Sequence, residues 1–411
     1  MVSQKTAELV AQLDDINHST FNSSVADITA IKHALSAALR RMQSPFDTAM
    51  DICWNLPAAE SVTRLLVNVG LFEKWVTHGG HPMSGQELAA LTNVEHEFLG
   101  MSPTYAQSLL TPLTISSERL LRYSAGQHFV DQTGDSTYAL THYSRALADP
   151  QLNHMFVFGS RFITPVFSNF PKFARDTRYR NPTDLLNSNF QNRYGHESTV
   201  FGMFKDDSEL GTAFNDAMTQ FALNKTSWTD IYPTDTIISA LKQGKALVVD
   251  VAGGVGHDLE RFRARYPHVP QGSLILQDLP DVARQTQVKS PAITQAYDMF
   301  TTQPVKGATV YFLHNILHDW PDDQSAEILR NVAKGMEKGY SRLLLNENVI
   351  PARGAHPLAT TMDMCMMMIF SSVERTEDHW RRLIERVPEL KIVKIWAAPE
   401  AVESVLELEL A

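Results

Sequence analysis

The chain has 411 residues, enough for two or three domains with buried cores, and its 36 basic side chains against 46 acidic ones leave a net charge of −10. That balance gives little electrostatic support to a nucleic-acid or anionic-membrane partner and suits a small neutral or apolar ligand. Its two cysteines, Cys53 and Cys365, argue against a disulfide framework or a thiolate zinc site and fit a reducing, cytoplasmic setting. The opening stretch MVSQKTAELVAQLDD has no apolar signal core, and no run reaches the roughly 18 apolar residues of a membrane span.

Residues 1–44 read as an amphipathic helical arm, because Leu9, Leu13, Ile28, Ile31, Leu35 and Leu39 recur at three- and four-residue steps. From 45 to 150 short helices and a hairpin follow. Ser84 to Glu87 form a capping box that opens a helix to Leu91, and the turn Gly134-Asp135 precedes a strand Tyr138 to Thr141. Helices followed by a two-stranded wing suggest a winged-helix module, but few Lys or Arg lie there and none cluster, which argues against DNA binding. Residues 151–235 are rich in aromatics, among them Phe156, Phe158, Phe162, Phe204 and Trp228. They predict a helical connector, mostly core on its inner face, with part of it lining a pocket.

From residue 236 to 411 strands and helices alternate. Strands are expected at 246–251, 274–277, 309–313, 342–346 and 406–410, and helices at 257–266, 324–337, 360–370 and 377–386. That rhythm is a parallel α/β sheet with helices on both faces and a ligand crevice at the carboxyl ends of its strands. The first strand ends on Asp250 and turns through Gly253, Gly254 and Gly256, while Asp278 closes the next strand at the offset where an acid meets ribose hydroxyls. Leu259 occupies the place of the third glycine that a pyrophosphate would require, and no Gly-Lys-Ser/Thr phosphate loop occurs. Tight glycines and a ribose acid without a phosphate device suit S-adenosylmethionine.

After the strand at 309–313 come His314 and then His318-Asp319, a histidine placed to act as a base, or alternatively a loop histidine before a helix whose start favours Asp322 and Asp323. A metal held by this His and its carboxylates is a minor alternative, and none is expected. Glu347 closes the strand at 342–346, and Glu374 follows a helix on which Met364, Met367 and Met368 share one face. Methionines there serve as core, or as an adaptable wall for a flat ligand.

The segments VVDVAGGVGH, LILQDLPDV, AYDMF, YFLHNILHDWPDD, LLLNENVIP and ERTEDHW, in this order, resemble the plant and fungal small-molecule O-methyltransferases typified by caffeic acid methyltransferase, especially the fungal secondary-metabolite branch. PFDTAM, VGLFEKW, ELAALT and TYALTHYS resemble that family's dimerisation domain more loosely. The resemblance implies a Rossmann-like domain with an antiparallel last strand and a winged-helix dimerisation domain. It implies that Gly253, Gly254 and Gly256 hold the amino-acid part of S-adenosylmethionine beside Asp250, Asp278 and Leu279 its ribose, and Asp298 with Met299 its adenine. His318 is then the base, next to Asp319 and flanked by Glu347 and Glu374, and His154, Phe158, Phe204 and the three methionines face the acceptor. Three departures stand out: Ala252 for a glycine, Ser372 for a glycine, and His314 where a lysine or arginine is usual near the adenine. The expected reaction is metal-independent methylation of an aromatic or polyketide-like hydroxyl by a homodimer. A fungal offshoot that keeps S-adenosylmethionine but catalyses dehydration and pericyclic closure is the alternative; retention of His318, Asp319, Glu347 and Glu374 favours methyl transfer.

Overall fold

A computed structural model describes residues 3–14, 16, 25–92, 119–284, 286, 288, 292–398 and 401–411. It divides into two units, Met1–Ala59 and Glu60–Ala411. The first holds the helices Gln4–Asp14, Val25–Met42 and Pro45–Met50 and a π-turn at Asp51–Asn55, so the helical run continues past the expected end of the arm at residue 44. Ser44 starts the third helix with a reciprocal cap: its hydroxyl accepts the Asp47 N–H at 3.1 Å, and the Asp47 carboxylate accepts the Ser44 N–H at 2.9 Å. Leu39, Met42, Phe46 and Trp54 are exposed.

The second unit opens with helices and a small antiparallel sheet, β1 (Met83–Ser84), β2 (Val130–Gly134) and β3 (Thr137–Leu140), in the order β1-β3-β2. The expected two-stranded wing gains a third strand because Met83 and Ser84 pair with Tyr138 and Thr137. Ser84 caps the helix Gly85–Thr92 as its sequence predicts, its hydroxyl bonding the Glu87 N–H at 3.2 Å. Residues 93–118 of this segment lie outside the described residues.

The connector helices Pro150–Phe158, Thr164–Asp176, Asn189–Tyr194, Val200–Asp206 and Ser208–Leu223 enclose an aromatic core. Phe158 stacks on Phe162 and meets Phe204 edge-on, and Cys365, Met366, Ile369 and Phe370 enter the same core from the helix Pro357–Phe370.

The large sheet contains β4 (Val248–Val251), β5 (Leu274–Asp278), β6 (Ile293–Ala296), β7 (Val310–His314), β8 (Arg342–Asn348), β9 (Leu390–Ala397) and β10 (Glu403–Leu410). Their order is β6-β5-β4-β7-β8-β10-β9, parallel from β6 to β8, with β10 antiparallel to both its neighbours. Alternate residues serve opposite faces. Val249, Tyr311, Leu313 and Leu345 pack with Leu329 and Trp380, whereas Val248, Leu276, Phe312 and Leu344 pack with Trp228 and Phe262. From β4 the chain winds outward to β6, then crosses back to β7 on the other side of β4. The reversal opens a crevice beyond the carboxyl ends of β4 and β7.

Candidate active site

Three segments reach this crevice, and each turns on a left-handed residue with a side chain: Ala252 after β4 (φ 58°), Asn315 after β7 (φ 52°) and Ser371 after the helix Pro357–Phe370 (φ 53°). Such geometry costs a non-glycine residue roughly 1–2 kcal/mol. The strain is spent where the chain leaves β4, β7 and the helix Pro357–Phe370, on the glycine turn, the His318 loop and the segment carrying Glu374.

In the glycine turn, a Cβ on Gly253 would lie 2.4 Å from the Asp250 carboxyl carbon, whereas one on Gly254, at φ 61°, would point into open space. Gly253 therefore exists for close packing and Gly254 for the backbone conformation and the clear approach it leaves. Gly256, at φ 92°, precedes the helix His257–Arg265. Asp278 ties the turn together: one oxygen accepts the Gly254 N–H at 2.9 Å and the other the Leu279 N–H at 2.7 Å. Burial raises its pKa above the ordinary value, these two bonds pulling against it. Asp250 is 1% exposed and neither carboxylate oxygen has a hydrogen-bond partner among the described residues. Burial, then the nearby Asp258, pushes its pKa well above the usual carboxylate range. An open glycine cradle beside an orphaned buried acceptor fits a ligand with a small cationic, hydrogen-bonding end, and the amino-acid part of S-adenosylmethionine is of that kind. Farther along, Asp298 is exposed and takes the Phe300 N–H at 3.0 Å, while Met299 is partly buried against the core.

His314, expected near the adenine, has its ring engaged within the protein. Its Nδ1 lies 2.6 Å from Asp258 and its Nε2 3.0 Å from Glu403, so both nitrogens are committed. Burial opposes the charged ring, but the two carboxylates outweigh it and raise the pKa to about 10. Glu403, paired also with Lys225, is held below its ordinary pKa against its own burial. The sequence reading missed Asp258, Glu403 and Lys225, which lie far apart in the chain. His314 and its two carboxylates form a buried charged cluster at the carboxyl end of β7.

His318 sits on the 3-10 turn Leu317–Asp319. Its Nδ1 is 2.8 Å from Glu374 Oε1 and 4.0 Å from Glu347 Oε2, and its Nε2 is 3.5 Å from Asp319 Oδ1. Glu374, not Glu347, therefore orients the ring. Glu347 orients the loop, its Oε1 accepting the Ile316 and Leu317 N–H groups at 3.0 and 2.8 Å. Burial raises the Glu347 pKa. Burial likewise disfavours charge on His318, yet Glu374, Asp319 and Glu347 together raise its pKa to about 10. Arg375, fully buried, braces the far side of the loop by donating to the Leu317 and Trp320 carbonyls at 2.7 and 2.8 Å. No sequence signal singled it out beyond its place after Glu374. Asp322 turns away to Arg375 and His379, and Asp323 to Arg386, so these two acids do not converge on His318.

Of the side chains expected to face the acceptor, His154 pairs through Nδ1 with Asp216 at 2.5 Å across the helices Pro150–Phe158 and Ser208–Leu223. Phe158 and Phe204 lie within the aromatic core, and Met368 packs on that core from its edge. Met364 is exposed and Met367 partly so.

The O-methyltransferase domain family matches residues 179–387. The chain is 30% identical to O-methyltransferase mfmE of Annulohypoxylon moriforme, over 98% of its own length and 95% of that protein's. Among solved structures it is similar to one described as a pericyclic reaction enzyme, with a TM-score of 0.85 at 26% identity over 100% of both chains. LepI in complex with S-adenosylmethionine gives a TM-score of 0.84 at 27% identity, over 99% of this chain and 100% of that one.

Proposed function

Since the chain belongs to the O-methyltransferase family, we propose that it transfers the methyl group of S-adenosylmethionine to a hydroxyl of an aromatic or polyketide-like small molecule, with His318 as the base. The carrying observation is the His318–Glu374 pair, 2.8 Å apart and buried, with His318 on the loop leaving β7 and the glycine turn leaving the adjacent strand β4. Gly253, Gly254 and Gly256 with Asp250 would hold the amino-acid part, Asp278 and Leu279 the ribose, and Asp298 with Met299 the adenine. Bound S-adenosylmethionine supplies an electrophilic methyl group and a fixed positive charge, which disfavours a second positive charge on the imidazole.

Glu374 holds Nδ1–H and so leaves the Nε2 lone pair for the acceptor. A phenol has a pKa near 10 against about 6.5 for an ordinary imidazole, so complete deprotonation in advance is costly. Taking the proton as the oxygen attacks avoids that cost, and the three surrounding carboxylates stabilise the imidazolium as it forms. Met364 and Met367 would border the site once the acceptor is bound, and a dry, aligned pocket favours a reaction in which opposite charges cancel. His318→Gln, with turnover read as S-adenosylhomocysteine across a panel of phenols, should lose about 10²–10⁴ in rate; full retained turnover removes His318 from the role of base.

The likeness to a pericyclic reaction enzyme supports a second reading, dehydration or ring closure with the cofactor unconsumed, and the protonated ring of His318 suits an acid role in it. Substrate isomerisation without S-adenosylhomocysteine would select it. A homodimer is part of the proposal, supported by the exposed apolar side chains of Met1–Ala59. So is a cytoplasmic setting, supported by the free thiols of Cys53 and Cys365. No helix among the described residues is long and apolar enough to cross a membrane.

A further inference from the structure

Methyl transfer from a sulfonium to a hydroxyl releases one proton per turnover, and His318 must shed it before it can act again. Its Nδ1 is committed to Glu374. The Glu374 and Glu347 side chains are 1% and 0% exposed, so neither opens to water. Asp363, on the neighbouring helix, is engaged with the Glu374 N–H at 2.9 Å, and Arg375 faces the backbone on the far side of the loop. Asp319 alone of the three carboxylates stands at the other edge of the ring, 3.5 Å from Nε2, and its side chain is 19% exposed. Among the described residues His318 is its only ion-pair partner.

Resting on the methyl-transfer reading, we propose that Asp319 is the proton exit of the site, accepting the Nε2 proton of His318 after each transfer and passing it to solvent. The Nε2–H bond breaks with its electron pair left on nitrogen, an O–H bond forms on Asp319, and that proton then goes to water or buffer. The carboxylate ends unchanged, so no co-reactant is needed. An imidazolium surrounded by three acids gives its proton to bare water slowly. Burial, with Glu347 and Glu374 adding to it against His318, raises the Asp319 pKa to about 7. It is therefore a far better acceptor than water from a ring at about 10, yet it still releases a proton near neutrality.

Nitrogen-15 histidine NMR of the full chain saturated with S-adenosylhomocysteine tests this without turnover. At neutral pH the His318 Nε2–H should exchange quickly with solvent in the wild type, about tenfold or more slowly in Asp319→Asn, and quickly again in Asp319→Glu. In parallel, with the phenol that the wild type methylates fastest, Asp319→Asn should lose about tenfold or more in the steady state beyond whatever it loses in the first turnover, and that extra loss should recover with added formate. Equal exchange in the wild type and Asp319→Asn overturns the proposal, as does a first turnover lost as severely as the steady state, which would put Asp319 on the substrate. A His318 without an Nε2 proton at neutral pH overturns the proposal too, since the ring would have nothing to shed, whereas full retained turnover in His318→Gln would instead strike the base reading itself.

Discussion

His318 has two demands to meet: it must be neutral to accept a proton and must welcome the charge once it has one. Glu374, Asp319 and Glu347 serve the second demand so strongly that the free enzyme keeps the ring protonated to about pH 10. Activity therefore requires loss of a proton, and kcat/KM should rise with pH well above the 6.5 of an ordinary imidazole. Glu374→Gln removes the nearest negative charge, so the rising limb should move to lower pH while the plateau drops for want of a fixed tautomer. A limb that stays in place in a pH–rate profile would mean that Glu374 does not set the ring's charge. Asp278→Ala tests the cofactor half. It deletes the acceptor assigned to the ribose and also the clamp on Gly254, and hydrogen bonds to a charged group contribute about 1.5–3 kcal/mol each, so affinity for S-adenosylmethionine should fall by about tenfold or more in calorimetry. Unchanged affinity would contradict the ribose assignment. Most of these side chains could be picked out in the sequence, because strand ends next to glycines and acids mark a crevice. Their pairing could not: Glu347 and Glu374 looked equivalent, and only the folded distances of 4.0 and 2.8 Å to the ring separate one from the other.

At the scale of elements the same contrast has a physical cause. Strands β4, β5, β7 and β8 are buried on both faces and so announce themselves as apolar runs. The edge strands β6 and β9 are exposed along much of their length, carry no such run, and went unread. The left-handed bends were invisible at Ala252 and Ser371, whose types favour no such geometry, although Asn315 is of a type that visits it. Ala252→Gly should relieve about 1–2 kcal/mol of native strain and return about 0.4–1 kcal/mol through the looser unfolded chain, for a net gain of up to roughly 1.5 kcal/mol. A urea midpoint that falls instead would show that the methyl packs better than the bend costs. Gly253→Ala goes the other way, since its Cβ would meet Asp250 at 2.4 Å; the turn must shift, and cofactor binding should be lost. The charged chain Asp258–His314–Glu403–Lys225 joins the helix after the turn to β7, β10 and the end of the Ser208–Leu223 helix. Because His314 has its pKa raised on folding, its contribution to stability is full below about 6.5, the unfolded value, and is lost as pH rises toward about 10. Denaturant midpoints should decline over that window, and less so in His314→Gln; parallel declines in the two proteins would remove His314 as the cause.

For the whole molecule, the Met1–Ala59 unit raises the question of what covers it. Its helices follow an amphipathic pattern, yet Leu39, Met42, Phe46 and Trp54 are 51%, 77%, 71% and 63% exposed. Burying one such side chain completely contributes about 1.5–3 kcal/mol, so the exposed parts of these four offer roughly 4–8 kcal/mol. A twofold interface uses each patch twice and doubles that to about 8–16 kcal/mol, against an association cost of about 4–15 kcal/mol. The margin is small enough for assembly to depend on concentration, and large enough to favour dimers once the chain is abundant. Sedimentation velocity at tens of micromolar should therefore show a dimer that loosens on dilution. Placing a charge at the two largest exposed rings, with Phe46→Asp and Trp54→Asp together, should yield a monomer whose far-ultraviolet circular dichroism keeps its helical content. A wild-type chain that sediments as a monomer at that concentration would assign the apolar face to some other partner.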